Sequence, residues 1–197
     1  IFYALDDNDN LDLDSIENFS QVIKNQNSIV FGFTNMVWTN LIESLIAKGE
    51  KINLDGSLLI HGGGWKKLES KNISNKVFKN KLNKLTNISK VVNYYGMVEQ
   101  TGSVFMECEK GFFHCSNFSD IIIRDFKDFK INKFNEAGLI QVLSVLPYSY
   151  PGHSLLTEDI GIIHGEDNCP CGKSGKYFSV LGRIPKAEVR GCSDAYL

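Results

Sequence analysis

The 197-residue sequence contains no apolar run long enough to cross a bilayer, so we expect no membrane span. Its formal net charge is only −2, so it has no overall attraction for nucleic acid or an anionic membrane. Five cysteines, an odd number, fit a disulfide framework poorly. The chain does not begin with methionine, and it has no internal repeat or low-complexity tract. We therefore expect a cytoplasmic, globular piece of a longer protein, with reduced thiols.

The hydrophobic pattern before Gly102 alternates between strands and helices. β-Branched and aromatic runs predict strands at 28–33, 56–60 and 91–95, while apolar residues at helical spacing predict helices at 35–48 and around 78–85. Strands that alternate with helices in this way are typical of a parallel sheet. The first part of the chain is thus predicted to be a parallel βαβ half.

After Gly102 the helical spacing disappears. Short apolar runs are separated by Gly, Asn and Asp, and they predict strands at 103–107, 120–124, 138–145, 161–164 and 176–181. The predicted fold class is therefore α/β, with the parallel half followed by an antiparallel β region. We expect three parts: residues 1–102, residues 103–182, and a hinge and tail at 183–197.

Tyr95, Gly96 and Glu99 follow one another at the carboxyl end of the last predicted parallel strand. Ligands of α/β sheets bind at this edge. An aromatic ring can stack on a purine, a glycine allows close approach of the backbone, and a carboxylate can hold Mg²⁺ against phosphate oxygens. The alternative is a buried strand that ends in an ordinary turn.

Three consecutive glycines, Gly62, Gly63 and Gly64, follow the second predicted strand. Without β-carbons, this segment permits a flat ligand to lie against bare backbone. A flexible loop is the alternative interpretation.

Four separated segments occur in one order: residues 61–64 (His-Gly-Gly-Gly), 95–99 (Tyr-Gly-Met-Val-Glu), 157–161 (Thr-Glu-Asp-Ile-Gly) and 181–186 (Leu-Gly-Arg-Ile-Pro-Lys). In this order they resemble the adenylate-forming superfamily of acyl- and aryl-activating ligases. Residues 61–67, 94–101 and 190–194 more closely resemble the acyl-protein synthetases, which activate fatty acids in the fatty acid reductase complexes of bacterial luminescence. The phosphate loop of the superfamily, rich in Ser, Thr and Gly, has no counterpart here. The resemblance therefore implies the carboxyl-terminal part of an adenylate-forming domain.

The resemblance also implies roles for individual residues. The glycines Gly62 to Gly64 and Tyr95 would flank the adenine of ATP, and Glu99 would lie near Mg²⁺ and the phosphates. Asp159 would accept hydrogen bonds from the ribose, and Arg183 would reach the ribose or a phosphate.

One position departs from the superfamily pattern. Val98 replaces a threonine that usually contacts phosphate, and Thr101 lies near enough to substitute for it.

Cys192 is the candidate acyl acceptor. In acyl-protein synthetases the acyl group passes to a cysteine of the enzyme near its carboxyl end, and Cys192 has the corresponding position. A thiolate attacks a mixed anhydride readily, and the neighbouring Arg190 could lower the pKa of the thiol. The alternative is a thiol without a catalytic function.

The resemblance thus implies ATP-dependent activation of a long-chain fatty acid as acyl-AMP, then a thioester on the enzyme for later reduction to aldehyde. The implied partners are acyl-CoA reductase-type and acyltransferase subunits. Two alternatives remain open: an acyl- or aryl-CoA ligase that uses coenzyme A as acceptor, and a non-catalytic scaffold that binds acyl groups or nucleotides.

A second group of residues has the spacing of metal ligands. His114 follows Cys108 by six residues, and Cys169 and Cys171 flank a proline in a tight turn, so the two pairs could complete a tetrahedral, structural Zn²⁺ site. Cys115 competes with His114 as a ligand. Buried reduced thiols are the alternative.

Overall fold

The structure is a computed structural model that describes residues 1–24, 26–65 and 73–185. The chain divides into two compact units. The described parts of these units are residues 1–24, 26–65 and 73–93, the amino-terminal unit, and residues 94–185, the carboxyl-terminal unit. The division falls inside one strand, β3 (Lys90–Tyr95).

The amino-terminal unit contains parallel strands, as predicted. After helix α1 (Leu13–Val22), strand β1 (Ser28–Phe33) pairs in parallel with β2 (Ser57–Gly62), and the strand order continues to β3. The register places Phe33 opposite Gly62. The carboxyl ends of β1 and β2 therefore lie side by side.

The predicted helix at 35–48 is present, but its middle has wider turns than an α-helix. It comprises α2 (Thr34–Met36), a π-helical segment (Val37–Glu43) and α3 (Ser44–Lys48). Four side chains of the π segment are buried, namely Val37, Trp38, Leu41 and Ile42. All four belong to the core of this unit. Gly49 ends the helix with a φ of +69°, as expected of a glycine cap.

Helix α4 (Asn75–Thr86) covers the core of this unit. The Ser74 side chain accepts from the Val77 amide at its start, and Asn87 ends it in a left-handed conformation. The predicted apolar face is correct, since Phe78 and Leu82 are fully buried. Burying each side chain contributes about 1.5–3 kcal/mol.

The carboxyl-terminal unit is antiparallel, as predicted. Its strands follow the spatial order β3-β4-β5-β9-β8-β7-β6. They are β4 (Phe105–Glu107), β5 (Phe113–His114), β6 (Ser119–Arg124), β7 (Gly138–Ser144), β8 (Ser154–Glu166) and β9 (Lys176–Arg183). Strand β5 has no counterpart in the sequence prediction, and β8 begins seven residues earlier than predicted. Its core contains Phe105, Phe178, Ile121, Ile123 and Ile140.

Within the described ranges, no helix combines the length and the apolar character that a membrane crossing requires.

Candidate functional site

Three side chains of the carboxyl-terminal unit meet at Asp159. The Tyr95 hydroxyl donates to Oδ2 of Asp159 at 2.7 Å, and Nε of Arg183 donates to Oδ1 at 3.2 Å. The sheet register creates this arrangement, because Asp159 of β8 lies directly opposite Arg183 of β9. A carboxylate oxygen has two lone pairs, so each oxygen of Asp159 can still accept a hydrogen bond from a ligand hydroxyl.

The ring of Tyr95 lies against the aromatic core of this unit. Its centroid is 6.0–6.2 Å from those of Phe105, Phe113 and Phe178. Burial, and then the negative charge of Asp159, raise the pKa of Tyr95 far above its ordinary value. The hydroxyl therefore stays protonated and remains a donor to Asp159. The predicted stacking of this ring on adenine stays a prediction.

Gly96 turns the chain directly after β3. A β-carbon at this position would lie 3.2 Å from the carbonyl oxygen of Ser103, and this oxygen belongs to the backbone. The close approach explains why a glycine occupies the position. The following 3₁₀ turn (Val98–Gln100) presents the exposed carboxylate of Glu99.

Thr101 is the proposed substitute for the phosphate-contacting threonine, and its hydroxyl group already donates a hydrogen bond within the same turn. Its Oγ1 donates to the carbonyl oxygen of Val98 at 3.1 Å, and its amide donates to the Tyr150 hydroxyl at 3.2 Å. A phosphate oxygen needs a donor. The Thr101 hydroxyl must therefore turn away from Val98 before it can bind phosphate.

Gln100, which is not among the predicted site residues, holds this turn in place. Its side chain is fully buried. Nε2 donates to the carbonyl oxygen of Gly152 at 2.7 Å and to that of Val142 at 3.3 Å. A glutamine is mostly a surface residue, so the sequence offered no signal for this contact.

We expect Gln100→Leu to lower the free energy of unfolding by about 1–3 kcal/mol, because two buried carbonyls lose their donor. Urea unfolding measures this change. Gln141→Leu is the matched control, since Gln141 contacts Arg124 and Ser154 on the partly exposed face of β7. The control should lose less than about 1 kcal/mol. Equal losses in the two variants would contradict a special role for Gln100.

The glycine segment belongs to the amino-terminal unit. Gly63 and Gly64 have φ values of +83° and +67°, which favour glycine. Beside them, Thr34 Oγ1 donates to the carbonyl oxygen of Gly62 at 3.0 Å and lies 2.9 Å from Nδ1 of the buried His61. A Thr34 hydroxyl proton that points to Gly62 matches the tautomer of His61 in which Nδ1 carries the proton and donates to Thr34. The prediction that Gly62 to Gly64 contact adenine remains untested.

The structure brings the four predicted metal ligands together in the carboxyl-terminal unit. One ligand atom from each of Cys108, His114, Cys169 and Cys171 lies within 4.8 Å of all the others. The distance from Sγ of Cys171 to Nε2 of His114 is 3.4 Å. These residues could hold a metal ion.

Cys115, the competing ligand in the sequence analysis, is not part of this cluster. Burial, followed by the charge of Asp120, raises the pKa of its thiol to about 12. In the structure His114, rather than Cys115, lies among the three thiols.

Cys192 and Arg190 lie outside the described residues, as do Lys66, Lys67 and Lys186. The predicted acyl acceptor therefore has no structural description.

A protein-family model described as "Acyl-protein synthetase, LuxE" matches residues 3–196. No curated protein matches the chain significantly. Three similar solved structures establish the fold. A long-chain-fatty-acid-CoA ligase from Archaeoglobus fulgidus has a TM-score of 0.59 and 14% identity, over 87% of this chain and 36% of that chain. A 2-hydroxyisobutyryl-CoA ligase has a TM-score of 0.63 and 16% identity, over 89% of this chain and 40% of that chain. ATP-bound MatB from Rhodopseudomonas palustris has a TM-score of 0.52 and 16% identity, over 85% of this chain and 33% of that chain.

The mixed sheet therefore shares its fold with these two CoA ligases and with MatB. The chain spans between 33% and 40% of the length of these structures.

Proposed function

This chain belongs to the LuxE acyl-protein synthetase family, and on that basis we propose that it activates a long-chain fatty acid with ATP and carries the acyl group on Cys192. Membership of this family and an adenylate-forming fold indicate acyl activation in general. The observation that supports a nucleotide site here is the Asp159 carboxylate, which is held by Tyr95 and Arg183.

Asp159 binds the ribose in this proposal. Tyr95 and Arg183 each occupy one lone pair of the carboxylate and fix its direction. The remaining lone pairs accept from the two ribose hydroxyls, as an ionised carboxylate does well. Arg183, whose side chain is 45% exposed, supplies a positive charge close to the position of the ribose and phosphates.

Glu99 suits Mg²⁺. Its carboxylate is exposed on a tight turn, and protein sites for Mg²⁺ usually supply one or two carboxylates beside the phosphates and water. When bound, the ion would neutralise charge that develops on the phosphates. Gln100 keeps Glu99 in position through its buried hydrogen bonds.

The chemistry has two steps. An oxygen of the fatty acid carboxylate attacks the α-phosphorus of ATP, the bond to the β-phosphate oxygen breaks, and pyrophosphate leaves. The thiolate of Cys192 then attacks the acyl carbonyl carbon, the bond to the phosphate oxygen breaks, and AMP leaves with the electron pair. A reductase partner that supplies hydride would release the acyl group as aldehyde, and an acyltransferase partner would supply the fatty acid.

Coenzyme A as acceptor is the second candidate, because two of the similar structures are named CoA ligases. In that case coenzyme A would take the acyl group instead of Cys192. A non-catalytic scaffold is the third candidate.

The three candidates differ in the product formed from labelled fatty acid and ATP by the full-length protein. We expect label on the protein without coenzyme A, and we expect neutral hydroxylamine to release it as from a thioester. Acyl-coenzyme A without labelled protein would identify a CoA ligase. Absence of both acyl-AMP and nucleotide binding would favour the scaffold.

A further inference from the structure

The cysteine and histidine cluster lies where three short segments meet. Cys108 directly follows β4, His114 lies on β5, and Cys169 and Cys171 belong to the connection from β8 to β9. Cys108, His114 and Cys169 are buried, with 5%, 7% and 5% exposure. Four side chains of the kinds that bind transition metals thus lie together in a mostly buried site, although their sequence positions are up to 63 residues apart.

We propose that Cys108, His114, Cys169 and Cys171 bind one Zn²⁺ ion in a closed, structural site. Three thiolates and one imidazole are a known ligand set of structural zinc, and four protein ligands leave no position for water or substrate. Soft sulfur ligands in a tetrahedral arrangement favour zinc over Mg²⁺ or Ca²⁺.

The distances fit this ion. With a Zn–S bond of about 2.3 Å, the sulfur atoms of a tetrahedral site lie about 3.8 Å apart. The four ligand atoms all lie within 4.8 Å of one another. Their separations are therefore at most about 1 Å longer than the sulfur-to-sulfur distance of a tetrahedral site. The distance of 3.4 Å from Cys171 Sγ to His114 Nε2 is already close to a sulfur-to-nitrogen edge. Small side-chain rotations would complete the tetrahedron.

The local backbone also favours a metal clamp. The amide of Gly172 donates to the carbonyl oxygen of Cys169 at 2.9 Å, which closes a tight turn, and Gly172 has a φ of +81°. This turn holds Cys169 and Cys171 next to each other. On the other side, Cys108 and Phe112 close the hairpin between β4 and β5 with an amide-to-carbonyl bond of 2.8 Å.

Strand pairing at this corner of the sheet is short, and Phe112 and Tyr177 pack beside Cys108 and Cys169. Strand β5 pairs with β4 through two residue pairs and with β9 through two more. A metal that joins both hairpins would add a cross-link to this packing. It would also fix the turn end of the β8–β9 hairpin. Asp159 and Arg183 face each other at the open end of the same hairpin, seven residues or about 23 Å away along the strand. The ion therefore stabilises the framework and does not contact the reacting groups.

Metal analysis of the full-length protein, purified without chelator, tests this proposal. We expect about one zinc per chain in the wild type. Cys169→Ser should lose most of this zinc, whereas Cys171→His, which keeps a ligand, should retain it. Cys115→Ser is the matched control, because Cys115 neighbours His114 but is outside the cluster, and its zinc content should equal that of the wild type.

Two further measurements do not depend on the variants. Replacement of zinc by Co²⁺ should give the visible absorption of a tetrahedral site and thiolate-to-cobalt charge transfer. Strong chelation should lower Tm by about 5 °C or more, since the corner loses its cross-link. Wild-type protein without bound metal, a disulfide among these cysteines, loss of zinc in Cys115→Ser, or an unchanged Tm after chelation would each overturn the proposal.

Discussion

Replacing Cys192 with alanine is expected to reduce covalent acyl labelling more than about 100-fold, while acyl-AMP formation continues. The reason is that the thiolate acts only in the second step, after pyrophosphate has left. Exchange of labelled pyrophosphate into ATP, dependent on fatty acid, measures the first step. Label on the denatured protein measures the second.

The control for this variant is Cys115→Ala, which removes a thiol whose pKa is raised to about 12 by burial and which is therefore a poor nucleophile. Both activities should remain near wild type. A label that persists in the Cys192 variant and is released by neutral hydroxylamine would mean that another cysteine is the acceptor.

Local patterns were sufficient to predict most of the secondary structure. The β-branched run at Ser28–Phe33 predicted β1 to the residue, and the spacing of Phe78 and Leu82 identified the buried face of α4. These elements were predictable because their burial follows the period of the element itself. The change from parallel to antiparallel strands after Gly102 was also visible, because helical spacing disappears there.

Features that depend on distant partners were not predictable in the same way. Strand β5 has only two residues, and it exists because β4 and β9 pair with it on either side. The buried position of Gln100 depends on carbonyl groups 42 and 52 residues away. No local pattern contains such information.

The candidate site lies between these extremes. The motifs singled out Tyr95, Asp159 and Arg183 one by one, but only the register of β8 and β9 shows that Asp159 faces Arg183. The hydrogen bond from Tyr95 to Asp159 joins residues that are 64 positions apart. For the metal cluster, the spacing identified both pairs but could not choose between His114 and Cys115. His114 is the last residue of β5 and Cys115 follows it, so only the fold shows which of the two meets the thiols.

Asp159→Asn is expected to lower the rate of adenylate formation at subsaturating ATP about 100-fold. The substitution keeps the shape but removes the charge that attracts the Tyr95 hydroxyl, Arg183 and, in the proposal, the ribose hydroxyls. Hydrogen bonds to a charged group are worth about 1.5–3 kcal/mol each, and the loss of about 3 kcal/mol corresponds to this factor. Fatty-acid-dependent pyrophosphate exchange at a series of ATP concentrations measures the effect.

Asp120→Asn is the control, because it removes the charge of another paired aspartate and shows whether loss of any such ion pair lowers the rate of adenylate formation. Asp120 contacts Lys176 at 2.7 Å in the same unit, with side chains that are 44% and 20% exposed, but it belongs to β6 and is not part of the proposed nucleotide site. Partly exposed pairs of this kind contribute about 1 kcal/mol or less, so this variant should unfold slightly more easily and keep its ATP dependence. The rate of adenylate formation in Tyr95→Phe should lie between the rates of Asp159→Asn and Asp120→Asn. In this variant Asp159 keeps its charge and its contact with Arg183 but loses the hydrogen bond from the Tyr95 hydroxyl. If Asp159→Asn retained wild-type exchange at low ATP, the carboxylate would be a structural anchor for Tyr95 and Arg183, and the ribose would have to bind elsewhere.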